Sequence, residues 1–200
     1  MKLRHLVITT VSPILLLLAG GCATSPAPDL YVFSAEDGWR TAAVRDQAKS
    51  AFTVRFAPVN LPAYLDRPLL VVREGDMQIR VEQFHRWGIP LNMTVVEILG
   101  ASIARDKPDA YVDVVAQRAP PAPGYLVHVD IVRLDGELGG DVELIAQWRV
   151  TRGGTGDREV VSQRLARYEE PTSGKNHAAY VDAIRKGLAR MGTDIAAVME

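Results

Sequence analysis

The sequence predicts a single α/β domain, in which short strands combine with two amphipathic helices. In several segments apolar and polar residues alternate with a period of two, which is typical of half-buried strands. Two longer segments repeat apolar residues every three or four positions, which is typical of helices with one buried face. The length of 200 residues suits one domain with short additions, and no internal repeat indicates a second domain.

The composition excludes several classes of protein. The chain is 48% hydrophobic and 24% charged, which indicates a globular protein rather than a disordered one. Residues 22–200 carry 21 basic and 24 acidic side chains, a formal charge of −3. This charge excludes a general nucleic-acid-binding protein, which needs a basic surface. Because Cys22 is the only cysteine, the sequence also excludes an internal disulfide and a cysteine metal cluster.

Residues 1–21 are predicted to be a signal peptide. Two basic residues precede an apolar run over residues 6–18, and small residues follow it directly before Cys22. The run is shorter than the roughly 20 residues that a membrane-spanning helix needs. Small residues and prolines continue beyond the cysteine, so residues 22–29 are predicted to be a tether and residues 30–200 the folded domain.

The segment around Cys22 resembles the lipobox of bacterial lipoproteins, although Ala19 stands where that motif usually has leucine. The resemblance implies cleavage before Cys22, a diacylglyceryl group on its thiol and an acyl group on its new amine, with no other cofactor. Ala23 follows the cysteine, where an aspartate would signal retention in the inner membrane. The resemblance therefore implies the outer membrane, facing the periplasm. The alternative is an ordinary secretory peptide with an unrelated cysteine.

Five short strands are predicted in the first half of the domain. They lie at residues 30–33, 52–56, 69–72, 77–81 and 111–115. Gly75 and Asp76 predict a turn between the third and the fourth of these strands, which would make the pair a hairpin. A helix is predicted over residues 92–106, because its apolar residues share one face and Asn92 is a suitable N-cap residue.

The second half of the domain is predicted to be a three-stranded antiparallel meander followed by a helix. The strands lie at residues 125–134, 141–151 and 160–168. In the second strand Trp148 is expected to face the core together with Leu144 and Val150. The helix is predicted from Lys175 to the C-terminus, with a regular apolar stripe. We interpret the stripe as the face that packs on the sheet; the alternative is a surface for a partner helix.

The chain lacks the residue patterns that would predict an enzyme or a metal site. It has no G-x-S-x-G motif, and the glycine-rich segment 152–156 lacks the lysine and the spacing of a phosphate-binding loop. His85, His128 and His177 show no ligand spacing with each other, so no catalytic or metal-binding residue is predicted. An acidic hairpin tip at residues 135–143 is interpreted as a solvated turn rather than a weak cation site.

The most distinctive segment lies between Pro62 and Pro68. Since proline fixes φ, the segment is predicted to be stiff and extended. The predicted partner-binding residues in and after it are Tyr64, Leu65, Asp66, Arg67 and Trp87. Tyrosine, tryptophan and arginine are the residue types that dominate interface energies. In the alternative interpretation Asp66 and Arg67 pair with each other and hold a structural corner.

The motifs with the highest specificity are found at residues 61–68, Leu-Pro-Ala-Tyr-Leu-Asp-Arg-Pro, and at residues 84–91, Phe-x-Arg-Trp-x-x-Pro-Leu. Together with the lipobox, the Tyr-Val-Phe of residues 31–33 and the glycine-containing hairpin at residues 135–148, they resemble the ABC-type transport auxiliary lipoproteins, the PqiC-like group. The sequence departs from that group at Ile89, where an acidic residue is common.

This resemblance implies an α/β domain with a mixed, largely antiparallel sheet of about five strands flanked by helices. It also implies a non-catalytic outer-membrane lipoprotein that works with a membrane-spanning MCE-domain transport protein in moving lipids between the two membranes. The implied role is to dock or anchor the periplasmic conduit. The resemblance does not specify whether the protein forms a homo-oligomer. The alternative is a periplasmic lipid-binding carrier, which needs an apolar pocket of several hundred Å³.

Replacing the cysteine tests the anchor. Cys22→Ser is expected to release the protein from the membrane, because a hydroxyl group does not accept the diacylglyceryl group that holds the chain in the bilayer. Fractionation of envelopes followed by immunoblotting measures the distribution, with Ala23→Ser as the control that keeps the thiol. Wild-type partitioning of the Cys22→Ser protein into outer membranes would contradict the lipoprotein interpretation.

Overall fold

The computed structural model describes residues 26–33, 50–114, 124–153 and 158–200. The predicted signal peptide, the lipidation site Cys22 and part of the glycine-rich segment 152–156 lie outside these ranges. Within the described ranges no helix is both long enough and apolar enough to cross a membrane.

The strands and helices follow one another along the chain in the predicted order. The strands are β1 (Asp29–Tyr31), β2 (Phe52–Phe56), β3 (Leu69–Glu74), β4 (Gln78–Trp87), β5 (Ala110–Asp113), β6 (Gly124–Gly136), β7 (Asp141–Gly153) and β8 (Glu159–Pro171). The helices are α1 (Leu91–Asp106) and α2 (His177–Ala197). The main difference in length is in β4, which continues beyond the predicted strand to Trp87 and so brings Phe84 and Trp87 into a sheet.

Five of the strands form one mixed sheet, in the spatial order β5-β2-β6-β7-β8. β2 runs parallel to both of its neighbours, whereas β6, β7 and β8 form an antiparallel meander. This sheet and its two helices confirm the predicted fold class. A separate three-stranded sheet, in the order β1-β4-β3, was not predicted. In it β3 and β4 form the hairpin, turning at Gly75 with a φ of +73°, and β1 lies parallel to β4.

The hydrophobic core lies between the five-stranded sheet and the helices. In β7 every second side chain is buried from Val142 to Val150, while Gln147 and Arg149 between them are exposed. Helix α2 packs against β7 and β8, and α1 packs against α2. The buried stripe of α2 comprises Val181, Ile184, Leu188, Met191 and Ile195. This stripe therefore packs on the sheet, as predicted, rather than offering a surface to a partner helix.

Helix α1 begins differently from the prediction. It starts at Leu91, with Pro90 at the N-cap position and no side-chain cap. The side-chain oxygen of Asn92, the predicted cap, accepts a hydrogen bond from the N–H of Met93 at 2.9 Å inside the first turn. Pro90 sets the boundary because its φ of −53° suits the start of a helix. It also lacks an N–H group, which at this position would have no acceptor within the helix.

Helix α2 begins at His177, two residues after its predicted start. Asn176 caps it, since the side-chain oxygen of Asn176 accepts a hydrogen bond from the N–H of Ala179 at 2.8 Å. The two helices approach closely at Gly192, where an added Cβ would lie 2.6 Å from the Cβ of Ser102 on α1. A glycine is therefore required at this crossing.

Trp148 provides the test of the core. Its side chain is 1% exposed and lies next to the buried Leu144 and Val150 along β7, as the sequence predicts. Trp148→Ala is expected to lower the free energy of unfolding by about 3–5 kcal/mol, because it leaves a cavity in a close-packed interior. Leu165→Ala on β8 is the control, because Leu165 is 71% exposed and its loss should change stability by at most ~0.5 kcal/mol. Chemical denaturation measures both values, and equal effects would show that Trp148 lies outside the core.

Candidate functional site

The segment bracketed by Pro62 and Pro68 folds into a compact turn, not into the extended segment that its prolines predict. The N–H groups of Leu65 and Asp66 both donate to the carbonyl oxygen of Pro62, at 2.9 and 3.2 Å. At the other end, the carbonyl oxygen of Pro68 accepts a hydrogen bond from the N–H of Trp87 at 2.8 Å. The side chain of Leu65 is 4% exposed and belongs to the core. The turn is thus held at both ends and at its centre.

Tyr64 turns inward and binds a buried carboxylate. Its hydroxyl donates to Oδ2 of Asp135 at 2.7 Å. Arg73 of β3 donates to both oxygens of the same carboxylate, at 2.7 and 2.9 Å, and Nε of Arg133 donates to Oδ1 at 2.8 Å. Burial alone would raise the pKa of Asp135, but these hydrogen bonds outweigh it and hold the pKa below its usual value. Burial and the hydrogen bond to Asp135 raise the pKa of Tyr64.

This network corrects the interpretation of residues 135–143 as a solvated acidic turn at two of its four acidic residues, Asp135 and Glu143, whereas Glu137 and Asp141 at the tip are exposed as predicted. Asp135 is fully buried rather than solvated, because β6 continues past it to Gly136. Glu143, on the neighbouring strand, forms ion pairs with Arg133 and Arg167. Arg73 and Arg167 come from other parts of the chain, so the sequence pattern alone gave no sign of their ion pairs with Asp135 and Glu143.

Asp66 and Arg67 face outward and border a surface groove. Both residues are exposed, and the hydrogen bonds that fix the turn come from its backbone and from Tyr64. The alternative in which an Asp66–Arg67 pair holds the corner therefore does not describe these residues. The groove has a volume of about 360 Å³. It is lined by Asp66, Arg67, Pro68, Trp87, Gly88, Ile89, Pro90 and Leu91.

The groove is attached to the first strand of the domain. The N–H of Gly88 donates to the carbonyl oxygen of Tyr31 at 2.8 Å. An added Cβ at Gly88 would lie 2.4 Å from a methyl group of Val32, so a larger residue in this wall would require Val32 to move. The ring of Trp87 lies 5.9 Å from the ring of Phe33, centroid to centroid. β1 and the residues that follow it therefore support one side of the groove.

The chemistry of the groove suits recognition. Its lining residues offer one carboxylate, one guanidinium group and an apolar wall, and none of them is a hydroxyl, thiol or imidazole residue. Of the five predicted partner-binding residues, Asp66, Arg67 and Trp87 lie together on the groove. Tyr64 and Leu65 lie behind it and hold the turn in place, although their residue types alone did not distinguish them from the outward-facing pair.

Histidines that are scattered in the sequence meet in the structure. The rings of His85, on β4, and His177, at the start of α2, stack with centroids 3.5 Å apart. Glu82 offers a carboxylate oxygen to the same place, and one potential ligand atom from each of the three residues lies within 4.8 Å of the others. Sequence spacing missed this cluster, because the two histidines belong to elements far apart along the chain.

The buried carboxylate makes a prediction about stability. Asp135→Asn is expected to lower the free energy of unfolding by about 3 kcal/mol, the lower end of the range for broken buried pairs, because Arg73 and Arg133 keep partial access to solvent. Asp141→Asn, an exposed change on the next strand, is the control and should have little effect.

The same pair of variants has an expected pH dependence. Because the pKa of Asp135 is lowered in the folded state, its contribution is present at neutral pH and is lost as the pH falls below about 4, through the folded pKa. The difference in unfolding free energy between wild type and Asp135→Asn should therefore shrink on acidification. A difference that stays constant from pH 7 to pH 3 would show that the carboxylate charge does not carry the effect.

Comparison with known proteins identifies the family of this chain. No curated protein matches it significantly. A solved structure of an uncharacterized protein is 16% identical, with a TM-score of 0.67 over 86% of this chain and 98% of that one. A DUF330 family protein from Xanthomonas campestris is 17% identical, with a TM-score of 0.56 over 74% of this chain and 83% of that one. These likenesses support the fold. Residues 31–196 match the family described as the ABC-type transport auxiliary lipoprotein component, and the chain therefore belongs to that family.

Proposed function

We propose that this protein is a non-catalytic outer-membrane lipoprotein that docks the periplasmic part of an MCE-type lipid transport system. Membership of a family of transport auxiliary lipoproteins supports an accessory role in transport. The observation that carries the docking proposal is the groove that Asp66, Arg67 and Trp87 border. In this proposal the groove receives a segment of the MCE-domain partner, and the lipids on Cys22 hold the protein in the outer membrane.

The groove has the properties of a preorganised interface. The turn that presents Asp66 and Arg67 is fixed by backbone hydrogen bonds and by the contact of Tyr64 with Asp135. A fixed turn loses little conformational entropy on binding, which favours affinity. Arginine beside a tryptophan is a typical energetic centre of an interface. The lining residues favour a partner segment with an acidic group opposite Arg67 and an apolar side chain against the wall.

The position of the groove also suits an anchored protein. β1 begins at Asp29, the last residue of the predicted tether, and the carbonyl oxygen of Tyr31 at its end accepts a hydrogen bond from Gly88 of the groove. Seven tether residues from Cys22 to residue 28 span at most about 25 Å when fully extended. In the proposal this keeps the groove close to the inner surface of the outer membrane, where a conduit from the opposite membrane would arrive.

Arg67→Ala tests the docking role. This change is expected to weaken binding to the MCE-domain partner by tenfold or more while the melting temperature stays within a few degrees, because Arg67 is exposed. Arg158→Ala is the matched control, because Arg158 is also exposed but lies outside the groove. Binding is measured by titration of the detergent-solubilised lipoprotein against the partner, and stability by thermal unfolding of the same samples.

Crosslinking in the native envelope identifies the partner. A photoreactive residue at position 66 should crosslink to an MCE-domain protein, whereas the same residue at position 165, on exposed β8, should not. Unchanged binding by a folded Arg67→Ala protein would remove Arg67 from the site. A phospholipid that co-purifies in stoichiometric amount, with no crosslinked protein, would favour the lipid carrier instead.

A further inference from the structure

The cluster of Glu82, His85 and His177 joins two elements that otherwise belong to different layers. Glu82 and His85 lie on β4 of the small sheet, and His177 is the first residue of α2. The side chains of Glu82, His85 and His177 are 14%, 21% and 19% exposed. They are therefore largely removed from water but still reachable by a small solute.

The spacing of two of the donor atoms matches a metal site. Nε2 of His177 lies 3.4 Å from Oε1 of Glu82 but makes no hydrogen bond, although this nitrogen is buried. Two ligand atoms that share a tetrahedral zinc ion lie about 3.4 Å apart, given metal–ligand distances near 2.1 Å. A donor atom of His85 lies within 4.8 Å of both. Because the two rings stack face to face, one of them must turn out of the stack before both nitrogens can point at one ion.

The surroundings of the donors resemble a second coordination shell. Nδ1 of His85 lies 3.0 Å from the hydroxyl of Tyr31 and 3.4 Å from Oδ2 of Asp29, both on β1. Metal-binding histidines usually use one ring nitrogen for such an oxygen and the other for the metal, which leaves Nε2 of His85 for a ligand. Nε of Arg80 donates to Glu82 at 2.8 Å and orients its carboxylate.

We propose that Glu82, His85 and His177 bind one divalent transition-metal ion of the zinc type, with water in the fourth position. Two imidazole nitrogens and one carboxylate form a donor set that Zn²⁺ prefers, whereas Ca²⁺ and Mg²⁺ prefer oxygen alone. The ion replaces the stacking contact between the rings of His85 and His177, and it accepts the lone pair of the buried Nε2 of His177. It also fastens the start of α2 to β4, beside the strand that leads from the tether. This inference is independent of the docking role.

Metal binding is tested on the lipidated full-length protein, purified in detergent without a histidine tag and stripped with EDTA. Titration with ZnCl₂ should give one ion per chain. At a free Zn²⁺ concentration 100-fold above the dissociation constant, the melting temperature should rise by about 5–10 °C. Substitution with Co²⁺ should give the visible absorption spectrum of a tetrahedral site. A wild-type protein that binds no zinc, or that binds it without a change in melting temperature, overturns the proposal in favour of a simple Glu82–His177 ion pair.

Variants assign the ligands. His85→Ala, His177→Ala and Glu82→Gln should each weaken zinc binding at least tenfold, and Asp29→Asn should weaken it through the orientation of His85. His128→Ala is the matched control, because His128 is also partly buried but lies on β6, away from the cluster, and it should bind zinc as wild type does. Melting temperatures in EDTA separate folding from binding, since each ligand variant should match the metal-free wild type. Unweakened binding by His177→Ala, or loss of binding by His128→Ala, overturns the assignment.

Discussion

The carboxylate of Asp135 is fully buried and accepts hydrogen bonds from three side chains that lie in three parts of the fold. Tyr64 belongs to the turn between the prolines, Arg73 to the small sheet, and Arg133 to the same strand of the large sheet as Asp135 itself. Removing a carboxylate from water costs several kcal/mol unless its oxygens are fully satisfied. The turn and β3 must therefore keep one arrangement relative to β6, because a displacement of either removes hydrogen bonds from a buried charge.

The burial of Asp135 explains why the residues of the turn between Pro62 and Pro68 have different roles. Because the hydroxyl of Tyr64 and the side chain of Leu65 are directed inward, the next two residues, Asp66 and Arg67, face solvent. The segment is thus both a structural corner and a candidate recognition surface, but different residues serve the two purposes. Tyr64 and Leu65 form the corner, and Asp66 and Arg67 border the groove with Trp87. A substitution in the first pair acts on stability before it acts on recognition.

Local patterns in the sequence predicted those parts of the fold that local patterns can specify. The alternation of Leu144, Trp148 and Val150 fixed the buried face of β7, and the stripe of α2 fixed its packing on the sheet. The parallel pairing of β1 with β4 left no periodic signal, because the partners are far apart in the chain and β1 has three residues. The stacking of His85 on His177 and the neutralisation of Asp135 were hidden for the same reason: both depend on how separate elements meet.

The small sheet is joined to the rest of the domain by apolar packing, since Leu70, Val71 and Val72 of β3 are buried in the core, and by several directional polar contacts. Arg73 of β3 binds Asp135 of the large sheet, and the buried hydroxyl of Tyr180 on α2 donates to the carbonyl oxygen of Val71 on β3 at 2.8 Å. The third contact is made by His177 of α2, which lies next to Glu82 and stacks on His85, both on β4. Apolar packing tolerates small rearrangements, whereas a buried polar network loses much of its free energy when its geometry changes. In a lipid-anchored protein, a force on the tether would enter through β1, pass to β4 by parallel strand pairing and reach the core through these contacts. Their directionality would keep the groove in a fixed orientation relative to the core while the anchor moves with the membrane.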